Sequence, residues 1–171
     1  MDLETIITGL VFLALCILPV IYVQRKQKAK KKKLIKEFTS LAQHRQITIS
    51  QHDFWQPDYA IGIDTVNKKL LYTRKKEGNE QLIVVDLQDL KQCRVNNLYR
   101  DANGSRTIDL IELSLVFANA KTPEKKLEFY NREVNLNFND ELLLAQTWEN
   151  IINSSSAVTA KAKDRYAVNG S

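Results

Sequence analysis

Residues 59–74, "YAIGIDTVNKKLLYTR", decide the fold. Two short runs rich in Ile, Leu and Tyr flank the turn formers of "TVNK", the pattern of a β-hairpin. The same pattern repeats outward. "ITI" at 47–49 reads as a strand before it. "QLIVVDL" at 81–87, "QCRVNNLYR" at 92–100, "TIDLIELSLVFA" at 107–118 and "KKLEFYN" at 125–131 read as strands after it. In "KEGNE", Gly78 and Asn79 can accept positive φ, and Asn103-Gly104 in "DANGS" is a hairpin signal. No link is long enough for a helical crossover, so neighbouring strands should be antiparallel.

A helix follows the strands. Asn139 or Asp140 can cap "DELLLAQTWENIIN", in which Leu144, Trp148, Ile151 and Ile152 form one apolar stripe. It is expected to stop at "NSSS", closing a domain at residues 46–153. Residues 154–171 are small, polar and weakly patterned, and are expected to form a disordered tail.

Upstream, the character changes. Residues 6–23, "IITGLVFLALCILPVIYV", carry no charge. As a helix they would span about 27 Å, close to the hydrocarbon thickness of a bilayer. A cleaved signal peptide would want a positive start and a small-residue cleavage site. Here residues 1–5 are "MDLET" and "YVQRKQK" follows, so a retained transmembrane helix is expected.

The positive charge lies just beyond. Residues 1–24 carry −2, residues 25–36 carry +8, and the remainder carries −1. The basic pI therefore belongs to Arg25, Lys26, Lys28, Lys30, Lys31, Lys32, Lys33 and Lys36, which argues against a nucleic-acid-binding domain. Positive residues flank transmembrane helices on the cytoplasmic side and are attracted to anionic lipids. The N-terminus is thus expected outside and the rest in the cytoplasm. Leu34, Phe38, Leu41 and Ala42 recur at helical spacing, which makes residues 24–45 a basic juxtamembrane amphipathic helix. With a cytoplasmic domain, the glycosylation-like triplets at Asn103, Asn153 and Asn169 are chance matches.

On "IGIDTVNKKLLYTR", "IVVDLQDLKQCRV", "LEFYN" and "LLAQTWENI", the chain resembles the bacterial pleckstrin-homology-like (PH-like) proteins. The resemblance implies an α+β domain of about seven antiparallel strands in a partly open barrel, capped by a C-terminal helix. It also suggests a bacterial inner membrane. Phosphoinositide-binding PH domains place a basic residue on the first strand and Lys/Arg-x-Arg on the second. Lys68, Lys69, Arg74, Lys75 and Lys76 are the corresponding headgroup candidates, with Lys68, Tyr72, Arg74 and Lys76 expected on one face. Tyr72 stands where the first basic residue would be, and "AIGID" has none.

Signals of catalysis are lacking. The five glycines build no phosphate-cradling loop, and neither His44 nor His52 has a partner at metal-ligand spacing. Adjacent His52 and Asp53 point apart on a strand. Cys93 reads as a small core residue, and Asp86 and Asp89 as turn or cap residues. No metal or cofactor is expected. The reading is a single-pass, membrane-anchored, non-catalytic module holding a PH-like domain at the cytoplasmic membrane surface for a protein partner. Its rivals are an anionic-lipid sensor and a structural subunit of a membrane complex.

Overall fold

A computed structural model describes residues 22, 25, 26, 28, 29, 32–56, 58–76, 79–102, 105–119 and 121–168. Apart from Tyr22, the expected transmembrane span lies outside the described residues, as do residues 1–5, Lys30 and Lys31. Among the described residues no helix is long and apolar enough to cross a membrane.

The chain divides into two compact units, Met1–Gln46 and Ile47–Ser171. In the first, residues 32–44 form helix α1. Lys33 and Glu37, one turn apart, approach to 3.8 Å. The Thr39 hydroxyl donates to the Ile35 carbonyl at 2.8 Å. The helix ends tightly: Arg45 N–H donates to the Ala42 carbonyl and Gln46 N–H to that of Gln43. Gln46 itself is left-handed at φ 56°.

The second unit is an α+β fold of two antiparallel sheets and a C-terminal helix. Strands β1 (Gln51–Trp55), β2 (Tyr59–Asp64), β3 (Lys69–Lys76) and β4 (Asn79–Asp86) form one sheet in sequence order. Strands β5 (Leu90–Ala102), β6 (Ser105–Phe117) and β7 (Lys125–Asn131) form the other, and α2 runs Glu141–Val168. Ile61, Ile63, Leu70 and Tyr72 from the first sheet share one core with Leu113, Leu115, Leu127 and Phe129 from the second. Ala145, Trp148 and Ile152 of α2 fill the same core, which puts Trp148 and Ile152 of the expected stripe inside it.

Strand β7 departs from strict alternation for a local reason. Ile111 pairs with Tyr130 but Glu112 pairs with Glu128, so Phe129 is an extra residue, a β-bulge. The bulge resets the side-chain alternation, and consecutive Phe129 and Tyr130 are both buried.

Two expectations are corrected. Residues 47–49 are not a strand, and β1 is "QHDFW" at 51–55 instead. Thr48 N–H is held by the Asp64 carboxylate at 2.8 Å, a side-chain partner in place of a ladder bond. Nor does the last helix stop at Asn153, because α2 continues to Val168. The serines that suggested an end are anchored: Ser155 is buried and accepts from Lys68 Nζ at 3.0 Å, and Ser156 Oγ donates to the Leu87 carbonyl at 3.4 Å.

The β2–β3 hairpin is organised by Asp64. Its Oδ1 accepts from Val66 and Asn67 N–H at 3.1 and 2.8 Å, and its Oδ2 from Thr48 N–H and Asn67 Nδ2. Lys68 closes the turn at φ 55°. Burial alone would raise the carboxyl's pKa, but these bonds favour the charged form and hold it below its ordinary 3.8. Asp64→Ala should therefore cost about 2 kcal/mol in urea unfolding at neutral pH. Because the folded pKa is depressed, the stabilisation is complete above the unfolded value and lost as pH falls from about 4 through the folded pKa. The wild-type and Asp64→Ala stabilities should thus converge in acid, and an unchanged gap at pH 2 would refute this account.

Candidate functional site

The basic cluster is the first candidate. Arg25, Lys26, Lys28, Lys32, Lys33 and Lys36 are helical and exposed. Apart from the Lys33–Glu37 contact, no ion pair engages these six residues among the described residues. The arrangement is a solvated cationic face suited to an anionic surface.

The five β3-region basic residues are not gathered into one patch. Lys68 lies in the turn, with Nζ donating to the Ser155 carbonyl at 3.0 Å. Lys69 sits between Asp64 and Asp86 across its two neighbouring strands. Lys75 is exposed, and Lys76 is placed by its backbone at the end of β3. Tyr72 and Arg74 do share a face, as alternation predicts, but that face turns inward. Tyr72 is buried, and only 12% of the Arg74 side chain is exposed. The expected common face is thus corrected: its two central residues belong to the core region, and Lys68 is outside the strand.

What holds Arg74 is a Glu128 cluster. Arg74 Nη2 lies 2.8 Å from Glu128 Oε1, a charge contact whose angle falls outside hydrogen-bond geometry. Tyr59 Oη donates to the same oxygen at 2.6 Å, and Asn131 Nδ2 donates to Oε2 at 3.1 Å. Tyr72 Oη donates to the Glu128 backbone carbonyl at 2.6 Å. The Arg74 guanidinium also lies 5.6 Å from the Tyr59 ring centre. Beside it, Trp55 stacks on Tyr59 and Phe129, with its indole N–H on the Phe129 carbonyl at 2.8 Å. Burial, reinforced by the Glu128 hydrogen bond and charge, drives the Tyr59 phenol pKa upward. The Tyr72 phenol is raised for the same first reason, with the charge of Glu128 adding to it. Both remain neutral donors, and the cluster has the composition of a structural joint. It contains no activated nucleophile.

Glu128 was not singled out by the sequence reading. The signal was there: an acidic residue between Leu127 and Phe129 in a strand that must bury both. Also missed was the group Arg100, Asp109, Arg132 and Leu136, which lines a cleft of about 430 Å³. Leu136 alternates with Asn in "VNLNFN" and stays largely exposed, a pattern visible in the sequence.

Cys93, His52, Asp53 and Asp86 occupy structural places. Cys93 is buried, and burial followed by the charge of Glu149 pushes its thiol pKa up to about 12. His52 meets Phe54 edge-on at 5.4 Å, and Asp53 accepts from the Trp148 indole N–H at 3.0 Å. Asp86 accepts from Gln88 N–H, a turn bond as expected. Among the described residues no group of His, Cys, Asp and Glu is arranged to hold a metal. No family model, curated protein or solved structure matched this chain.

Two outcomes test this description. Removing Glu128 leaves the Arg74 charge without its counter-ion, so Glu128→Ala should cost about 3 kcal/mol in urea unfolding. Glu128→Gln, which keeps an acceptor for Tyr59, should cost about half that. In a Cys16→Ser background, Cys93 should resist a thiol reagent at pH 8 while folded and react fully in urea. Rapid reaction of the folded protein would contradict its enclosure.

Proposed function

We propose that this protein is a single-pass, membrane-anchored, non-catalytic binding module. A transmembrane helix at residues 6–23 and the basic segment after it hold a PH-like domain at the cytoplasmic membrane surface for a protein partner. Seven antiparallel strands followed by a helix support the PH-like reading, in which the two sheets form a partly open barrel with α2 across one end. The assignment to a bacterial inner membrane rests on the same resemblance.

The observation that carries the reading is the separation of charge from core. Six basic side chains are exposed on helical backbone before Ile47, where a unit with its own hydrophobic core begins. That unit's basic residues are widely engaged in internal contacts, Arg74 with Glu128 and Lys126 with Glu112 among them. The basic segment is therefore the better membrane contact, at about 1 kcal/mol per residue near an anionic surface. Tethering would raise the domain's effective concentration for a partner on the same membrane.

Liposome flotation tests the division. A chain beginning at Arg25 should float with anionic vesicles, stay behind with neutral ones and be released by high salt. A chain beginning at Ile47 should not float with either. Flotation of the shorter chain would transfer lipid recognition to the PH-like domain and overturn the reading.

A further inference from the structure

Between Leu98 and Tyr99 the β5–β6 ladder slips: Leu98 pairs with Leu110 and Tyr99 with Ile108. Asp109 is the extra residue on β6, and a bulge re-aims the side chain it carries. Arg100 Nε lies 2.8 Å from Asp109 Oδ2, and Arg132 Nη1 lies 3.7 Å from Oδ1. Arg132 N–H also donates to the Asp109 carbonyl at 2.9 Å. The cleft is lined by these three residues with Leu110, Asn131, Glu133 and Leu136.

The groups an incoming molecule can reach are mainly donors. Asp109 Oδ1 is shut away from solvent without a hydrogen bond, and Oδ2 is taken by Arg100. Asn131 is engaged at both ends of its amide, donating to Glu128 Oε2 and accepting from Glu133 N–H. The Arg100 and Arg132 side chains, in contrast, are 64% and 40% exposed. Each has five N–H donors, and a carboxylate takes two of them side by side. Beside them Leu136 is 79% exposed and Leu110 half-buried, an apolar wall next to the cationic one.

We propose that this cleft binds the C-terminal residue of a protein partner. The terminal carboxylate is held by Arg100 and Arg132, and an aliphatic last side chain lies against Leu110 and Leu136. Phosphate has no apolar part for that wall. A long fatty acid needs more apolar length than two leucines supply. An internal acidic residue beside a leucine points the opposite way along an extended peptide, whereas a terminal residue carries both groups on one Cα. Glu133, which lines the same cleft, opposes the carboxylate, so its removal should strengthen binding. The proposal rests on reading the chain as a protein-binding module and names that partner's chemistry.

The test uses the full chain in detergent micelles, following the Arg100 and Arg132 Nε–H and Leu136 methyl signals by NMR. The probes are N-acetyl-leucine, N-acetyl-leucine amide and octanoate at millimolar concentration. N-acetyl-leucine should shift all three sets of signals, and its amide should bind about tenfold more weakly or not at all. Arg132→Gln and Leu136→Ser should each weaken binding by about tenfold, and Glu133→Gln should tighten it by about twofold. Leu136 is exposed, so Leu136→Ser keeps the test valid if Arg132→Gln loosens the fold. Equal binding of acid and amide, no binding of either, or octanoate binding more tightly than N-acetyl-leucine would overturn the proposal. Flotation of these variants should match the parent, so a failed cleft leaves the tether reading standing on its own result.

Discussion

Among the described residues no backbone ladder joins the two sheets, which leaves open edges, and the rest of this fold depends on how those edges are satisfied. Each unpaired N–H or C=O near the core must find a partner, and an exposed row of them invites a foreign strand. Here side chains take the place of the missing ladders. The Trp55 indole and the Tyr72 phenol donate to the carbonyls of Phe129 and Glu128 on β7. Lys125 Nζ donates to the Val84 carbonyl on β4 at 3.2 Å. On β5 the Asn153 amide both accepts from Cys93 N–H at 2.8 Å and donates to the Cys93 carbonyl at 2.9 Å, as a neighbouring strand would. Two residues further along that edge, Glu149 accepts from Val95 N–H at 3.3 Å.

This arrangement explains why β7 bulges where it does. An unbroken strand would alternate Glu128 and Phe129 across its two faces to the end. The extra residue resets the pattern, so that Phe129 and Tyr130 both enter the core while two adjacent carbonyls accept from the opposite sheet. Glu128 then stands where Tyr59, Arg74 and Asn131 can all reach its carboxylate. A buried ion pair by itself is weak evidence of stability. Surrounded by phenol and amide donors, this one acts to fix the register between sheets that no ladder fixes.

Strands β2 to β7, the β2–β3 hairpin and the C-terminal helix were legible because they rest on local chemistry: alternation, turn formers and an apolar stripe. The misreadings have a common physical origin. "ITI" has strand composition, but Thr48 bonds to a side chain from β2, so no ladder forms there. "NSSS" has the composition of a helix end, yet Ser155 and Ser156 are held by Lys68 and by the Leu87 carbonyl, both distant in sequence. Period-2 alternation correctly placed Tyr72 and Arg74 together, but a period cannot say which of two faces is the inner one. Arg74 looked like a headgroup ligand because its counter-ion arrives from β7. The cleft at Asp109 was illegible for a similar reason, since no residue type announces a bulge.

These placements bear on where the positive charge is available. Beyond residue 36 the chain sums to −1, with cations and anions in near balance. In the second unit Arg74 faces Glu128, Lys126 faces Glu112, Lys68 and Lys125 donate to backbone carbonyls, and Arg100 and Arg132 converge on Asp109. A domain so balanced has little long-range attraction for an anionic surface, because its own anions screen its cations at contact distance. The +8 of residues 25–36 has no such internal counterpart in sequence, where Glu37 is the first acid after it. On the proposed reading this division keeps two tasks from competing. The basic segment can press against lipid without drawing the domain's face down with it, which leaves that face open to recognise a protein.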